Sequence, residues 1–459
     1  MTFRADSSGV PLGTMAVLMA SVFTVSIGYG VVLPLLPYLI ERLLGAGGNA
    51  GQVARSTGLL TGLYTLSLFL FAPMWGWLSD RVGRRTILLV GLIGFSATML
   101  TFSFIENLQA VYAERVLSGL FAAAVTPVAL AAIGDLATTE EARGRRLTYV
   151  SLAGISGFLL GPMMGVFISR GAANLLPTVG AAKSLAIPLT GTAILALVVA
   201  VAAVIAVPRV KPDDAAPARD QANVRVAPWL ISRLLFLAFI VSAGVGVFEV
   251  GLALRGKQEL GLTQYQIAAM FTECSLVMIV VQAVVFSPWV KPETTRWLVA
   301  PALAILSASL FLVPRASDFR LMLMVIGGVA ASAGILSPIL TYWISSKAGK
   351  AQGAQLGKQT AAASLGAAAG SAVGGLLFEF AGIPGASFLL VAALALLGVL
   401  VSLGLPGLLA TGKQVQAGHD GEVPKIVLPQ GQDAQRGRAG AMAKPAQGAP
   451  AARRPLFRI

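Results

Sequence analysis

Four ionisable side chains lie inside otherwise apolar stretches: Glu114, Arg115, Glu249 and Glu273. Charged residues make up only 12% of this chain. A carboxylate or guanidinium in such a stretch is costly, and it is retained where it faces a protein interior or a water-filled cavity. The chemistry open to these groups is ion pairing and proton exchange. A carboxylate desolvated when a cavity closes can trade a proton near neutral pH. Arg115 either meets an anion or a protonatable carboxylate, or it pairs with its neighbour Glu114 and with backbone carbonyls. Covalent and metal chemistry have little to work with. The one histidine, His419, sits in a polar tail, and the one cysteine, Cys274, precludes an internal disulfide or a Cys-ligated metal cluster. Cys274 reads as a small buried apolar residue. No Walker-type phosphate loop is present. No catalytic residue, metal or cofactor is expected, and the chain does not read as an enzyme.

The elements that must position these groups are membrane helices. The 459 residues are 56% hydrophobic with a mean hydropathy of +0.80. Apolar runs of about 20 residues, enough to cross a hydrocarbon core of about 30 Å, recur from end to end. Runs of that length must be helical, because the bilayer supplies no partners for backbone polar groups. Twelve spans are predicted, near 13–38, 56–78, 86–105, 109–134, 148–169 and 187–207, then 229–252, 265–286, 297–314, 319–345, 356–378 and 384–408. The first run is too long for a cleaved leader, and no small-x-small site follows it. The predicted organisation is a six-helix bundle over 1–208, a polar linker over 209–228, a second six-helix bundle over 229–408, and a basic, disordered tail over 409–459.

A second knot of charge lies between the second and third spans, in Gly76-Trp77-Leu78-Ser79-Asp80-Arg81-Val82-Gly83-Arg84-Arg85-Thr86. It reads as a loop. Gly76 permits close approach of a neighbouring helix, Gly83 allows a tight turn, and Asp80 and Arg84 are near enough across that turn to pair. Lys and Arg concentrate on the side of the membrane that holds this loop: seventeen fall there before the tail, against eight on the other side. The positive-inside rule then places the loop and both termini in the cytoplasm, and the protein in the cytoplasmic (inner) membrane. The net charge of +14 is accounted for by this topology and the basic tail, so nucleic acid is not an expected partner.

The chain also repeats itself. Gly144-Arg145, Ser151-Leu152, Gly157 and Gly161 align with Gly357-Lys358, Ser364-Leu365, Gly370 and Gly374 at a constant offset. Ser26-Ile27-Gly28-Tyr29-Gly30-Val31 echoes Ser242-Ala243-Gly244-Val245-Gly246-Val247. Two halves in parallel repeat form the architecture in which a site lies at the midplane between them. The same alignment sets Glu249 opposite Leu33, on a helix expected to line that site.

Gly76-x-Leu78-x-Asp80-Arg81-x-Gly83-Arg84-Arg85, following the second of twelve spans, resembles the signature loop of the major facilitator superfamily, and the resemblance covers about 13–408. Arg115-x-x-x-Gly119 is similar to the family's arginine motif in the fourth span. Gly157-x-x-x-Gly161-Pro162-x-x-Gly165 resembles the antiporter motif of its drug/proton exchangers, and Gly28-Tyr29-Gly30 through Pro34 and Pro37 resembles their first span. Two departures stand out. There is no acid between Leu12 and Ile40, and the second-half counterpart of the loop, Trp289 to Arg296, lacks the glycines.

The resemblance implies an all-α membrane protein with twelve helices in two pseudo-symmetric bundles. It implies a monomer that moves a small molecule by alternating access through the lipid bilayer. Asp135 matches the acid that completes a charge cluster with Asp80, Arg81, Arg84 and Arg85, which biases one of two global states. Gly157, Gly161, Pro162 and Gly165 mark a helix that bends against a partner. Arg115, Glu249 and Glu273 are the candidates for substrate or proton coupling. The expected function is proton-coupled export of a small organic molecule, with protons as the coupling ion. The alternatives are uptake or facilitated diffusion of a metabolite, or a non-transporting membrane sensor with the same fold. The two glutamates suit a cationic substrate, and Arg115 an anionic one.

Overall fold

The computed structural model describes residues 11–136, 140–175, 186–209, 228–285, 287, 290, 292–347, 352–379, 383 and 385–411. Most of the linker expected over 209–228, and the tail from 412 onward, lie outside the described residues. Twelve long helices account for the twelve predicted spans: α1 (Leu12–Leu44), α2 (Ala50–Val82), α3 (Arg84–Phe102), α4 (Leu108–Leu136), α5 (Glu140–Leu175) and α6 (Ala186–Ala206), then α7 (Pro228–Gln258), α8 (Gln264–Val285), α9 (Val299–Leu312), α10 (Phe319–Lys347), α11 (Gln352–Leu376) and α12 (Ala386–Ser402). A short α13 (Leu405–Thr411) follows. Ten of the helical stretches are long and apolar enough to cross a membrane, and α12 is a shorter apolar helix.

α1, α2, α5 and α7 outrun their predicted spans, because an apolar window measures the hydrocarbon whereas a helix continues into the polar boundary until a cap ends it, while α9 and α12 fall within theirs. At the start of α2 the Asn49 side chain accepts from the Gln52 backbone, and the Gln52 side chain accepts from the Asn49 backbone, forming a capping box six residues before the predicted span. The expected loop over Gly76–Thr86 is itself mostly helix. α2 runs on to Val82 and α3 begins at Arg84, leaving Gly83, at φ 101°, as the single break. A residue with a side chain is strained at that φ, so glycine there converts one long helix into a two-helix corner.

The repeat appears as equivalent packing. In the first half α1 packs on α5 and α6, α2 on α4, and α3 on α4 and α6. In the second half the corresponding α7 packs on α11 and α12, α8 on α10, and α9 on α10 and α12. The α1–α5 contact is made by the glycines of the α5 motif. A Cβ at Gly157 would stand 2.5 Å from the Phe23 carbonyl oxygen, and one at Gly161 would stand 2.8 Å from the Gly30 Cα. Their repeat partners behave alike: a Cβ at Gly370 would lie 2.1 Å from the Ala243 carbonyl oxygen. These small residues bring backbones into direct contact where lipid offers no hydrophobic drive for association. α5 runs as one helix through Pro162, which packs against Gly30.

Across the halves, α2 packs on α11 and α5 on α8. Two buried cores result, one per half, and they trade residues at the seam. Leu33 belongs to the second core, and Val250, Leu254 and Phe378 belong to the first. The end of the molecule holding Gly83 is termed the corner end, and the opposite one the far end.

Candidate functional site

Among the described residues, two places are built around predicted site residues. At the corner end, Arg84 reaches three partners from the first turn of α3. Its Nη1 lies 2.6 Å from Asp80 Oδ1 on α2 and donates to Ser79 Oγ at 2.6 Å, and its Nε donates to Asp135 Oδ2 on α4 at 2.9 Å. The expected Asp80–Arg84 pair is therefore formed, and Asp135 joins it. Arg85 donates to the Val204 carbonyl of α6, and the Arg81 guanidinium sits 3.8 Å over the Trp77 ring. Arg84 and Arg85 tie α3 to its neighbours within the first half, whereas the Arg81 contact stays within α2. Asp80 is 61% exposed and Asp135 36%, so each pair contributes only about 0–1 kcal/mol to stability. Gly76 does not serve as a close-approach point: a Cβ there would meet nothing within 4 Å. The sequence pattern marked the right corner and assigned the wrong reason to that glycine.

The second place is at the midplane. Gly28 and Gly30 let α1 lie against Phe95 of α3 and Pro162 of α5. Between them Tyr29 turns to the second half, where its hydroxyl donates to Glu249 Oε2 on α7 at 2.7 Å. The Tyr29 ring stacks on Tyr64 of α2 at 5.1 Å and on Phe158 of α5 at 5.9 Å. Stacking on two rings and tight packing at both glycine neighbours leave the phenol little freedom. Glu249 is buried, and it borders a cavity of about 260 Å³ whose wall includes Tyr29, Phe158, Phe271, Cys274 and Met278. The described lining residues include this one carboxylate and no lysine or arginine. Aromatic faces around a single carboxylate can hold an organic cation by charge pairing and by the ring quadrupoles.

Arg115 lies behind this wall rather than in it. Its Nε donates to Glu114 Oε2 at 2.7 Å and its Nη2 to Glu114 Oε1 at 2.9 Å, with both side chains buried. Two parallel charge-assisted bonds satisfy the carboxylate. The guanidinium also stands 4.4 Å over Phe102 and 5.7 Å from the Tyr64 ring. Gly119 of the same motif explains the approach: a Cβ there would lie 2.6 Å from the Tyr64 carbonyl oxygen, so α4 and α2 touch at the tyrosine. Of the two roles open to Arg115, the structure forms the pair with Glu114.

Glu273 is not brought to the cavity. On α8 the cavity-lining residues are Phe271, Cys274, Ser275 and Met278. Glu273 instead precedes Leu276 by three positions and Val280 by seven, sharing the face of two side chains that are more than half exposed. The helical period puts it on the other side of α8. Cys274 is buried, as expected, and lines the cavity as well. Sequence reasoning missed Tyr29, Tyr64, Phe158 and Phe271 as site residues. The glycines on both sides of Tyr29 were the one local signal that this side chain stands at a tight crossing.

A family model described as the Major Facilitator Superfamily matches residues 18–357. Multidrug resistance protein 2 of Bacillus subtilis (strain 168) is 27% identical over 375 residues, covering 79% of this chain and 88% of that protein. Quinolone resistance protein NorA of Staphylococcus aureus (strain COL) is 24% identical over 371 residues, covering 79% and 89%. Among solved structures, the human organic anion transporter MFSD10 (TETRAN) superposes with a TM-score of 0.64 at 20% identity, over 85% of this chain and 99% of that one. A bacterial homolog of the human lysosomal transporter Spinster, in an inward-facing and occupied conformation, gives a TM-score of 0.62 at 12% identity, over 87% and 96%. The two structural likenesses bear on the fold.

Proposed function

The chain belongs to the major facilitator superfamily, and from that premise we propose that it is a proton-coupled exporter of small lipophilic organic cations. It is a membrane transporter and not an enzyme; the direction, the coupling ion and the substrate class are the proposal. Glu249 carries it: a buried carboxylate, hydrogen-bonded across the two halves to Tyr29, in an aromatic wall with no lysine or arginine among the described lining residues. Such a carboxylate holds either a proton or a cation but not both. Exchange of one for the other couples the two fluxes. The multidrug resistance relatives support export of drug-like compounds. An anionic substrate is disfavoured, because Arg115, a buried cation whose guanidinium stands 5.7 Å from the Tyr64 ring, is occupied by Glu114.

In this reading the corner end faces the cytoplasm, as the lysine and arginine asymmetry supports, and both chain ends lie on that side. The Asp80–Arg84–Asp135 cluster biases the equilibrium between two global states rather than adding to fold stability. An alternation of states needs a differential contact in one of them, and ion pairs confined to one half are suited to making and losing such a contact. Glu273 is assigned no part in the cavity.

The test is transport by purified protein in proteoliposomes under an imposed pH gradient, with a panel of organic cations and organic anions. Accumulation of cations driven by the gradient, with anions untouched, is the expected result. Equal transport with and without the gradient would sink the coupling. Anion transport in preference to cation transport would sink the assignment of Glu249 as the cation-holding group.

A further inference from the structure

We propose that Lys257 is a positioning residue for transport: it bolts α7 to α1 at the far end and holds the central cavity shut on that side. This rests on the alternating-access part of the reading above and not on what Glu249 binds.

Lys257 lies in the last turn of α7, in the second half, and its contacts are on α1, in the first. Its Nζ donates to the Pro37 carbonyl at 3.0 Å, pairs with the Glu41 carboxylate, and stands 4.6 Å from the centre of the Tyr38 ring. One ammonium thus meets a carbonyl, a carboxylate and an aromatic face over little more than one turn of α1. The lysine is 11% exposed on its side chain while Glu41 is 63% exposed, so the cation is withdrawn from water and the acid is not. Removing the lysine leaves Glu41 exposed to water, so no buried carboxylate loses its partner.

The neighbouring contacts make this a gate and not an isolated pair. The Tyr38 hydroxyl donates to the Leu262 carbonyl at 2.9 Å, and Gln258 Nε2 donates to the Ala50 carbonyl at 3.0 Å. Phe167 of α5 meets Tyr265 of α8 edge-on at 6.0 Å. A Cβ at Gly58 would lie 2.5 Å from the Gly375 Cα, so α2 and α11 touch at the backbone one to two turns into the far half. All of these join the first half to the second at the same end. Arg255, two residues earlier on α7, does something different: it pairs with Glu259 and donates to the Pro314 and Ala316 carbonyls at 2.9 Å, all within the second half. Arg255 therefore anchors the end of α7 to its own bundle, and Lys257 ties that anchored end to the other bundle.

The same two helices are joined a second time at the midplane, by Tyr29 and Glu249. Eight residues separate Glu249 from Lys257, about 12 Å along α7 at 1.5 Å per residue. The seam between α1 and α7 thus has a chemically responsive bond inside and a fixed electrostatic bond outside. A change at Glu249 loosens the inner one, and opening toward the far end then requires release of Lys257.

The chain supplies its own reporter, because its only cysteine, Cys274, lines the cavity. The experiment is labelling of Cys274 by a membrane-impermeant maleimide added to either face of oriented vesicles. In the parent protein, labelling is slow from the far-end face. Lys257→Gln is expected to speed that labelling by about fivefold or more, the lower range of conformational couplings, and Lys257→Arg is expected to stay close to the parent. A glutamine variant labelled at the parental rate, or an arginine variant as fast as the glutamine one, overturns the proposal. If the parent itself is labelled equally fast from both faces, the alternating-access reading fails and the gate falls with it. A second readout is independent of thiol reactivity. With Cys274→Ser, spin labels at Gly47→Cys and Gln264→Cys report the far-end distance between halves, and Lys257→Gln should populate a longer distance absent in the parent. An unchanged distribution overturns the gate.

Discussion

The corner-end cluster and the midplane pair use the same chemistry to opposite ends. Arg84 of α3 draws together Asp80 and Ser79 of α2 and Asp135 of α4, all in one half and with both acids in contact with water. Tyr29 and Glu249 make one bond between two halves, inside the protein. Exposed pairs are screened and weak, so the first arrangement can be broken and remade cheaply. A buried carboxylate has no water to fall back on, so the second responds strongly to whatever replaces its partner. The difference teaches that charge near a corner is held loosely and in contact with water, while charge at the seam depends on the one partner it has.

That contrast can be broken or sharpened by substitution. The largest effect is expected at the seam: Glu249→Gln should lower proton-driven transport by about 100-fold, as loss of a proton-transferring group commonly does, with the purified protein still folded by circular dichroism. A variant retaining gradient-driven accumulation would show that the seam does not couple. Next is the buried pair behind it. Arg115→Ala leaves Glu114 buried without its partner, and about 3–5 kcal/mol of stability should be lost, read as a large drop in thermal midpoint in detergent. Replacing both residues with Gln and Met should recover much of that loss, which separates a structural role from a substrate-binding one.

The corner should behave in the reverse way. Asp80→Asn is expected to slow transport by about 5- to 100-fold, the range of a lost conformational coupling, while the thermal midpoint stays near that of the parent. An equal loss of stability and transport would make the cluster a structural staple. The glycines of the corner give the finest comparison. Gly83→Ala forces a side chain into positive φ and should cost about 1–2 kcal/mol. Gly76→Ala meets open space, and its effect should stay within about 0.5 kcal/mol. If the two behaved alike, the single-residue corner would not be what shapes this junction.

The corner was legible because all its information is local. Asp80 and Arg84 are one helical turn apart, Gly83 lies between them, and clustered charge in an apolar chain is conspicuous without coordinates. The twelve helices were legible for a related reason: each must satisfy its backbone within itself, so each announces itself as a run. The repeat of Gly157 and Gly161 in Gly370 and Gly374 was legible as spacing, and its meaning as backbone contact on α1 and α7 followed once the packing was seen. The far-end contacts of Lys257 on α1 were not legible. Neither residue stands out along the chain, and nothing in the spacing of Lys257 and Glu41 joins positions more than two hundred residues apart.

By itself, the sequence determined that this chain spans a membrane as two related helical bundles, where its helices begin and end to within a few residues at most boundaries, and that a charged glycine corner lies between the second and third. Those are consequences of hydrophobic length and of contacts within a turn. Only the tertiary structure decided which intramembrane charges face the cavity. Glu249 and Glu273 look alike along the chain, and Arg115 looks as available as either. The direction of a side chain around its helix, relative to helices from the other half, placed Glu249 in the aromatic wall, Glu273 on the opposite side of α8, and Arg115 in the grip of its own neighbour. That direction depends on how two bundles close on each other, which no local pattern encodes.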